Sequence, residues 1–138
     1  ARWLYEYLKA RNVTAFCSSE SLPRLGESDY CRAIDRALDS AACMVVVGTK
    51  PEHFDSGWVR YEWRSFFNEV HSGRKPDGRI FTLAGDLDPS CLPYGLRQSQ
   101  MLPFSPSSPQ DAFDAVYRFL RRPTVRLRLR SNDGCNRR

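Results

Sequence analysis

The stretch "CMVVVG" (43–48) constrains the fold more than any other. It is a strand's length of apolar residues with no polar position in it. A strand with one wet face alternates apolar and polar side chains. This one does not, so both of its faces must be covered, as in a parallel sheet clothed by helices.

The flanking segments fit that reading. "RWLYEYLKAR" (2–11) places Trp3, Leu4, Tyr7 and Leu8 on one helical stripe. "VTAFC" (13–17) is β-branched and apolar, and is expected to be a short buried strand. "SSESLPRLGES" (18–28) is polar, with Pro23 and Gly26, and reads as a loop. Ser28 is placed to cap the next helix, whose face carries Tyr30, Ile34, Ala37, Leu38 and Ala41. After "CMVVVG", residues 49–57 read as a loop and about 58–71 as a helix, with Gly73 at its C-terminal turn. "RIFTLAG" (79–85) is a further strand, 86–100 a loop of little helical character, and "MLPF" (101–104) a short strand. Ser108 as N-cap, Pro109 at N1 and Asp111 at N3 start a last helix with a stripe of Phe113, Val116, Tyr117 and Leu120.

Helices and strands thus alternate along the chain. Alternation predicts an α/β fold with a parallel sheet between two layers of helices. Such sheets bind ligands at the carboxyl ends of their strands. The loops there are 18–28, 49–57 and 86–100. Sheets of this type open with a strand, whereas this chain opens with a helix; a first, central strand is expected to be missing from it.

The 138 residues are one domain's worth. The five cysteines are scattered, odd in number and contain no CxxC pair, which argues against zinc and for reduced thiols. No signal peptide opens the chain and no apolar run approaches a membrane span, so a cytoplasmic location without membrane contact is expected. The net charge of +5 belongs to one end. Residues 121–138 hold seven arginines and one acid, whereas residues 1–120 hold 14 basic and 15 acidic side chains. The division expected is a domain over 1–121 and a basic tail or linker over 122–138. No aromatic residue interleaves those arginines, so nucleic acid is not an expected partner of the domain itself. GxGxxG and GxxxxGK[ST] are both absent, and His53 and His71 have no carboxylates at ligand spacing; no metal is expected. Serines 18, 19 and 21 with His53 would permit a triad only in the sense that most chains do, and Cys17 reads as a structural cysteine.

The helix after residue 57 is more informative. At about 100° per residue, Val59, Trp63, Phe66, Phe67 and Val70 form one buried stripe. Glu62 lies roughly 80° from its centre and Trp58 about 120°, one turn before Glu62. Neither belongs to the core. A tryptophan beside a shoulder carboxylate at a crevice is a candidate ligand platform, or else a solvated pair packed on a loop.

In order and spacing these pieces resemble a TIR (Toll/interleukin-1 receptor) domain of bacterial type. "VTAFC" runs into "SSESLPRLGESDY", which resembles the BB loop; "SDYCRAIDRALDSA" leads to "CMVVVG"; then come "SGW" and WxxxE, here Trp58 to Glu62. The likeness covers about residues 1–121. It implies a flavodoxin-like three-layer sandwich, without its first strand and without a clear fourth helix. It also implies an NAD+ nucleosidase that releases nicotinamide and ADP-ribose or a cyclic product. Glu62 then matches the catalytic glutamate, and Trp58 an aromatic position near the nucleotide. Phe16, Ser18, Ser19 and Tyr30 fall on segments bordering the pocket. NAD+ is the substrate, and no cofactor is implied. Other TIR domains are the implied partners, through loop 18–30, in a homo-oligomer or filament of immune or antiphage signalling. Two other readings stand beside this one. One is a non-catalytic TIR–TIR scaffold. The other is an enzyme like the nucleoside deoxyribosyltransferases, which also use a glutamate on a flavodoxin-like sheet but fit the position of WxxxE less well.

Overall fold

The computed structural model describes residues 1–17 and 27–121. Loop 18–26, with Ser18 and Ser19, and the basic tail 122–138 lie outside the described residues.

Among the described residues three strands form the sheet: β1 (Cys43–Gly48), β2 (Arg79–Gly85) and β3 (Gln100–Phe104), in the order β1-β2-β3. Both pairings are parallel, with Val45 opposite Phe81 and Leu83 opposite Leu102. Six α-helices accompany it among the described residues: α1 (Arg2–Lys9), α2 (Glu27–Ser40), α3 (Pro51–Asp55), α4 (Gly57–His71), α5 (Tyr94–Arg97) and α6 (Gln110–Arg121). The architecture is three-layered α/β, as a flavodoxin-like fold requires.

Strand alternation explains the layers, because successive side chains leave opposite faces. Phe81 and Leu83 pack with Leu4 and Leu8 of α1 and Ala112, Phe113 and Val116 of α6; Val45, Val47, Leu102 and Phe104 join them. On the other face Val46 and Ala84 pack with Phe54 of α3, Trp63 of α4, Leu92 and Leu96, joined by Met44, Ile80 and Met101. Both faces of "CMVVVG" are therefore covered. Thr82 is fully buried, and its hydroxyl is 2.8 Å from that of Ser99, which donates to the Leu96 carbonyl at 2.6 Å. The polar group inside the sheet is thereby satisfied.

Several expectations need correction. Residues 13–17 form no strand. Val13 packs on the core, but a strand exists only through a hydrogen-bonded neighbour. In a flavodoxin-like order the second strand pairs with the first alone, and no strand lies beside 13–17 among the described residues. Trp3 is exposed, since α1 buries only the narrower stripe of Leu4 and Leu8. α2 begins at Glu27, which puts Ser28 inside the first turn and not at the cap. α6 begins at Gln110, with the Pro109 carbonyl accepting the first helical bond from Phe113. Ser108 is instead bridged to Ser105.

Two short helices lie where loops were expected. α3 occupies part of 49–57, and residues 86–100 hold a 3₁₀ turn at Pro89–Cys91 as well as α5. Each is anchored by a fully buried apolar side chain, Phe54 or Leu96. Packing, not propensity, stabilises helices this short.

The ends of α2 and α4 are tied together. The Lys75 ammonium donates to the carbonyls of Asp39 (2.6 Å) and Ala41 (2.9 Å), which satisfies the end of α2 and complements its dipole. Gly73 has φ +81°, the left-handed turn expected after a helix. At the far edge, β3 includes the exposed Pro103, opposite Ala84.

β1 ends at Gly48 because a Cβ there would lie 2.6 Å from the Phe54 ring and 2.9 Å from the His53 Cβ. Both neighbours are held by the turn into α3. Gly48→Ala is expected to destabilise the fold by about 1–3 kcal/mol through overpacking. A lowered denaturant midpoint with an unchanged slope is the measurement that checks it.

Candidate functional site

α4 leaves the carboxyl end of β1 by way of α3 and runs back along the sheet. Its inward stripe matches the periodicity: Trp63 and Phe66 are buried, and Val59, Phe67 and Val70 half-buried. The helix is fixed in rotation by one buried bond, the Trp63 indole N–H donating to the Phe54 carbonyl at 2.8 Å. Gly95 lets α5 approach the same indole, since a Cβ there would sit 3.0 Å from it. Trp58 and Glu62 are thereby held at the shoulder of α4, near the carboxyl end of the sheet.

Trp58 is 42% exposed and stands between two tyrosines. The Tyr30 ring of α2 meets it edge-on at 5.3 Å, and the Tyr61 ring at 6.0 Å and 89°. The Tyr61 hydroxyl donates to the Asp35 carboxylate of α2 at 2.7 Å. The bond joins α4 to α2 and pushes the Tyr61 hydroxyl's pKa above its ordinary value, first through that bond and then through burial. Tyr30 and Trp58 are therefore brought together, as both were expected to border one site. Phe16 is exposed and makes no ring contact with them. Ser18 and Ser19 lie outside the described residues.

Tyr61 escaped the sequence reading. A helical projection sorts residues by distance from the core stripe, and Tyr61 falls on the solvent side. Its spacing of three from Trp58 was the available signal, because such pairs share a helix face.

Glu62 is half-buried. Among the described residues no hydrogen bond or ion pair reaches its carboxylate; Arg60, two residues away, pairs with Asp55 at 3.4 Å instead. Burial alone raises its pKa above the ordinary 4.5. A carboxylate that is desolvated but uncompensated adds nothing to stability, so it marks a functional candidate. α4 also starts without a side-chain cap at Ser56, leaving its first backbone N–H groups open.

Two concavities are formed elsewhere. One of about 360 Å³ lies between α3 and Cys91–Pro93, and one of about 320 Å³ at the amino ends of β2 and β3. Neither includes Glu62. Among the described residues no group of three or more His, Cys, Asp or Glu side chains is disposed to hold a metal. Nor is any helix there long and apolar enough to cross a membrane.

A family model described as "TIR domain" matches residues 1–120. The chain belongs to the TIR-domain family. The match spans everything from α1 to the last turn of α6, including Tyr30, Trp58 and Glu62. No curated protein and no solved structure matches the chain. TIR membership accounts for the parallel sheet and the helices packed on it.

The Glu62 environment predicts a pH signature. A carboxyl whose folded pKa is raised costs stability only when it ionises. The cost is absent below 4.5, where folded and unfolded chains both hold the proton. It grows as pH rises above that value and is complete once the folded pKa is passed. Glu62→Gln is therefore expected to melt above the wild type at pH 7, with the gap closing as pH falls below 4.5. Melting curves across pH 3.5–8 measure it.

Proposed function

We propose that this TIR domain is an NAD+ nucleosidase in which Glu62 is the catalytic carboxylate. The observation that carries the proposal is a half-buried glutamate with no partner among the described residues, one helical turn from an exposed tryptophan.

The chemistry needs little more. Most glycosidases use two carboxylates, because an alkoxide leaves poorly and must be protonated. In NAD+ the leaving group is a cationic pyridinium. The C1′–N bond breaks with its electron pair going to nitrogen, and neutral nicotinamide departs without a proton. Positive charge develops on the ribosyl carbon and ring oxygen. A fixed carboxylate in a poorly solvated site stabilises that charge. Water then adds at C1′ and loses a proton to give ADP-ribose, or a nucleophile of the adenine ring adds to give a cyclic product. Trp58, held edge-on by Tyr30 and Tyr61, offers its exposed face for stacking and for a cation–π contact with the pyridinium. Phe16, Ser18 and Ser19 are assigned to the nucleotide side of the same pocket on the family resemblance. NAD+ is substrate, and no cofactor enters the scheme.

Self-association through residues 18–30 is part of the proposal, as are a cytoplasmic location, a role in immune or antiphage signalling and a basic tail beyond residue 121. A TIR–TIR scaffold is the second reading. The observation that favours it is the exposed aromatic surface of Trp58 and Tyr61, which a partner could cover.

The test is nicotinamide release by the assembled full chain. Glu62→Gln is expected to lower the rate by roughly 10²–10³ while leaving assembly unchanged by light scattering. Equal rates for variant and wild type, or no release in the assembled state, would return the chain to the scaffold reading. Trp58→Ala is expected to raise KM more than it lowers kcat, because its stacking serves both bound states.

A further inference from the structure

At the end of the sheet opposite Glu62, the cavity of about 320 Å³ lies between the last turn of α4, the start of β2 and β3, and α6. Its apolar walls include the rings of Phe67 and Phe119. Its polar edge is Arg79, His71, Gln98 and Gln100. Among the described residues no acidic side chain lines it.

Arg79 is the unusual member. Its guanidinium sits 4.8 Å from the Phe119 ring centre, and its one hydrogen bond, to the Phe119 carbonyl, is long at 3.5 Å. Its Nε is buried and has no acceptor among the described residues. The ion pairs among the described residues join Arg60 to Asp55 and Arg74 to Glu69, and none involves Arg79. Cys43, opposite it in the ladder, keeps its thiol protonated to about 11 through burial, so it supplies no counter-charge. A half-buried cation is normally paired, because an unpaired one forfeits solvation without recompense.

We infer that this cavity is a binding site for a small organic anion with a flat apolar body, an aromatic carboxylate being the fitting class. The carboxylate would meet the terminal guanidinium nitrogens of Arg79. The ring would lie between Phe67 and Phe119. Gln98, Gln100 and the His71 imidazole add donors at the rim. The shape selects against a bare inorganic ion, which would leave the apolar walls wet. The charge selects against a neutral ring, which would leave Arg79 unpaired. The site is independent of the reading of Glu62, since it lies at the other end of α4.

Benzoate, benzamide and inorganic phosphate are the probes, titrated into the full chain and followed by NMR. Benzoate is expected to bind saturably in the millimolar range or tighter, shifting Arg79, His71 and Phe119 resonances. Benzamide and phosphate are each expected to bind about tenfold more weakly. Arg79→Gln is expected to weaken benzoate about tenfold and leave benzamide unchanged. Equal binding of benzamide, equal binding of phosphate, or no saturation by benzoate would overturn the proposal. So would benzoate shifts confined to Trp58 and Glu62. Should Arg79→Gln fail to fold, the wild-type shift map and the ranking of the three probes decide the matter alone.

Discussion

One buried hydrogen bond holds the half of the molecule that carries Glu62 in register. The Trp63 indole donates to the Phe54 carbonyl, and both side chains are buried against the same face of the sheet. α3 is too short to hold itself together. It persists because Phe54 fills the space above Gly48 and because the Phe54 carbonyl has a donor in the Trp63 indole. α4 is long enough to be helical, and its rotation about its own axis is set by what its inner stripe meets and by the Tyr61–Asp35 bond to α2. Losing the donor would leave a buried carbonyl unsatisfied, at a cost of about 1–3 kcal/mol. It would also loosen the hold on the helix that carries Trp58 and Glu62.

Around that anchor α4 has two unlike halves. The inner one is ordinary core. The outer one collects a tyrosine bound to Asp35, a tryptophan left in view and a glutamate that is short of water and has no partner among the described residues. Nothing in stability explains that combination. A glutamine at position 62 would suit the fold better, and an arginine nearby would suit the glutamate better. Arg60 is close in sequence, but it is taken by Asp55. Such local losses are expected where function, not folding, sets the residue.

Much of this was legible in the chain. "CMVVVG" could only be a strand covered on both faces, and it is. The stripe from Val59 to Val70 could only be the inner face of a helix, and the offset of Trp58 and Glu62 followed from it. What failed did so for physical reasons. Residues 13–17 have strand-like composition, but pairing depends on a neighbour that composition does not reveal. α3 and α5 exist because Phe54 and Leu96 find tertiary pockets, which four or five residues of sequence do not announce. Tyr61 depends on Asp35, 26 residues earlier, and a contact across two helices leaves no periodic trace.

The far edge of the sheet carries a last consequence. β3 has no strand on its outer side among the described residues, and an open edge invites another chain to add to it. Pro103 lies in the middle of that strand with no N–H to offer and a ring in the path of an incoming backbone. Growth of the sheet from molecule to molecule is thus obstructed at the β3 margin, where an arriving strand would meet a ring in place of a donor.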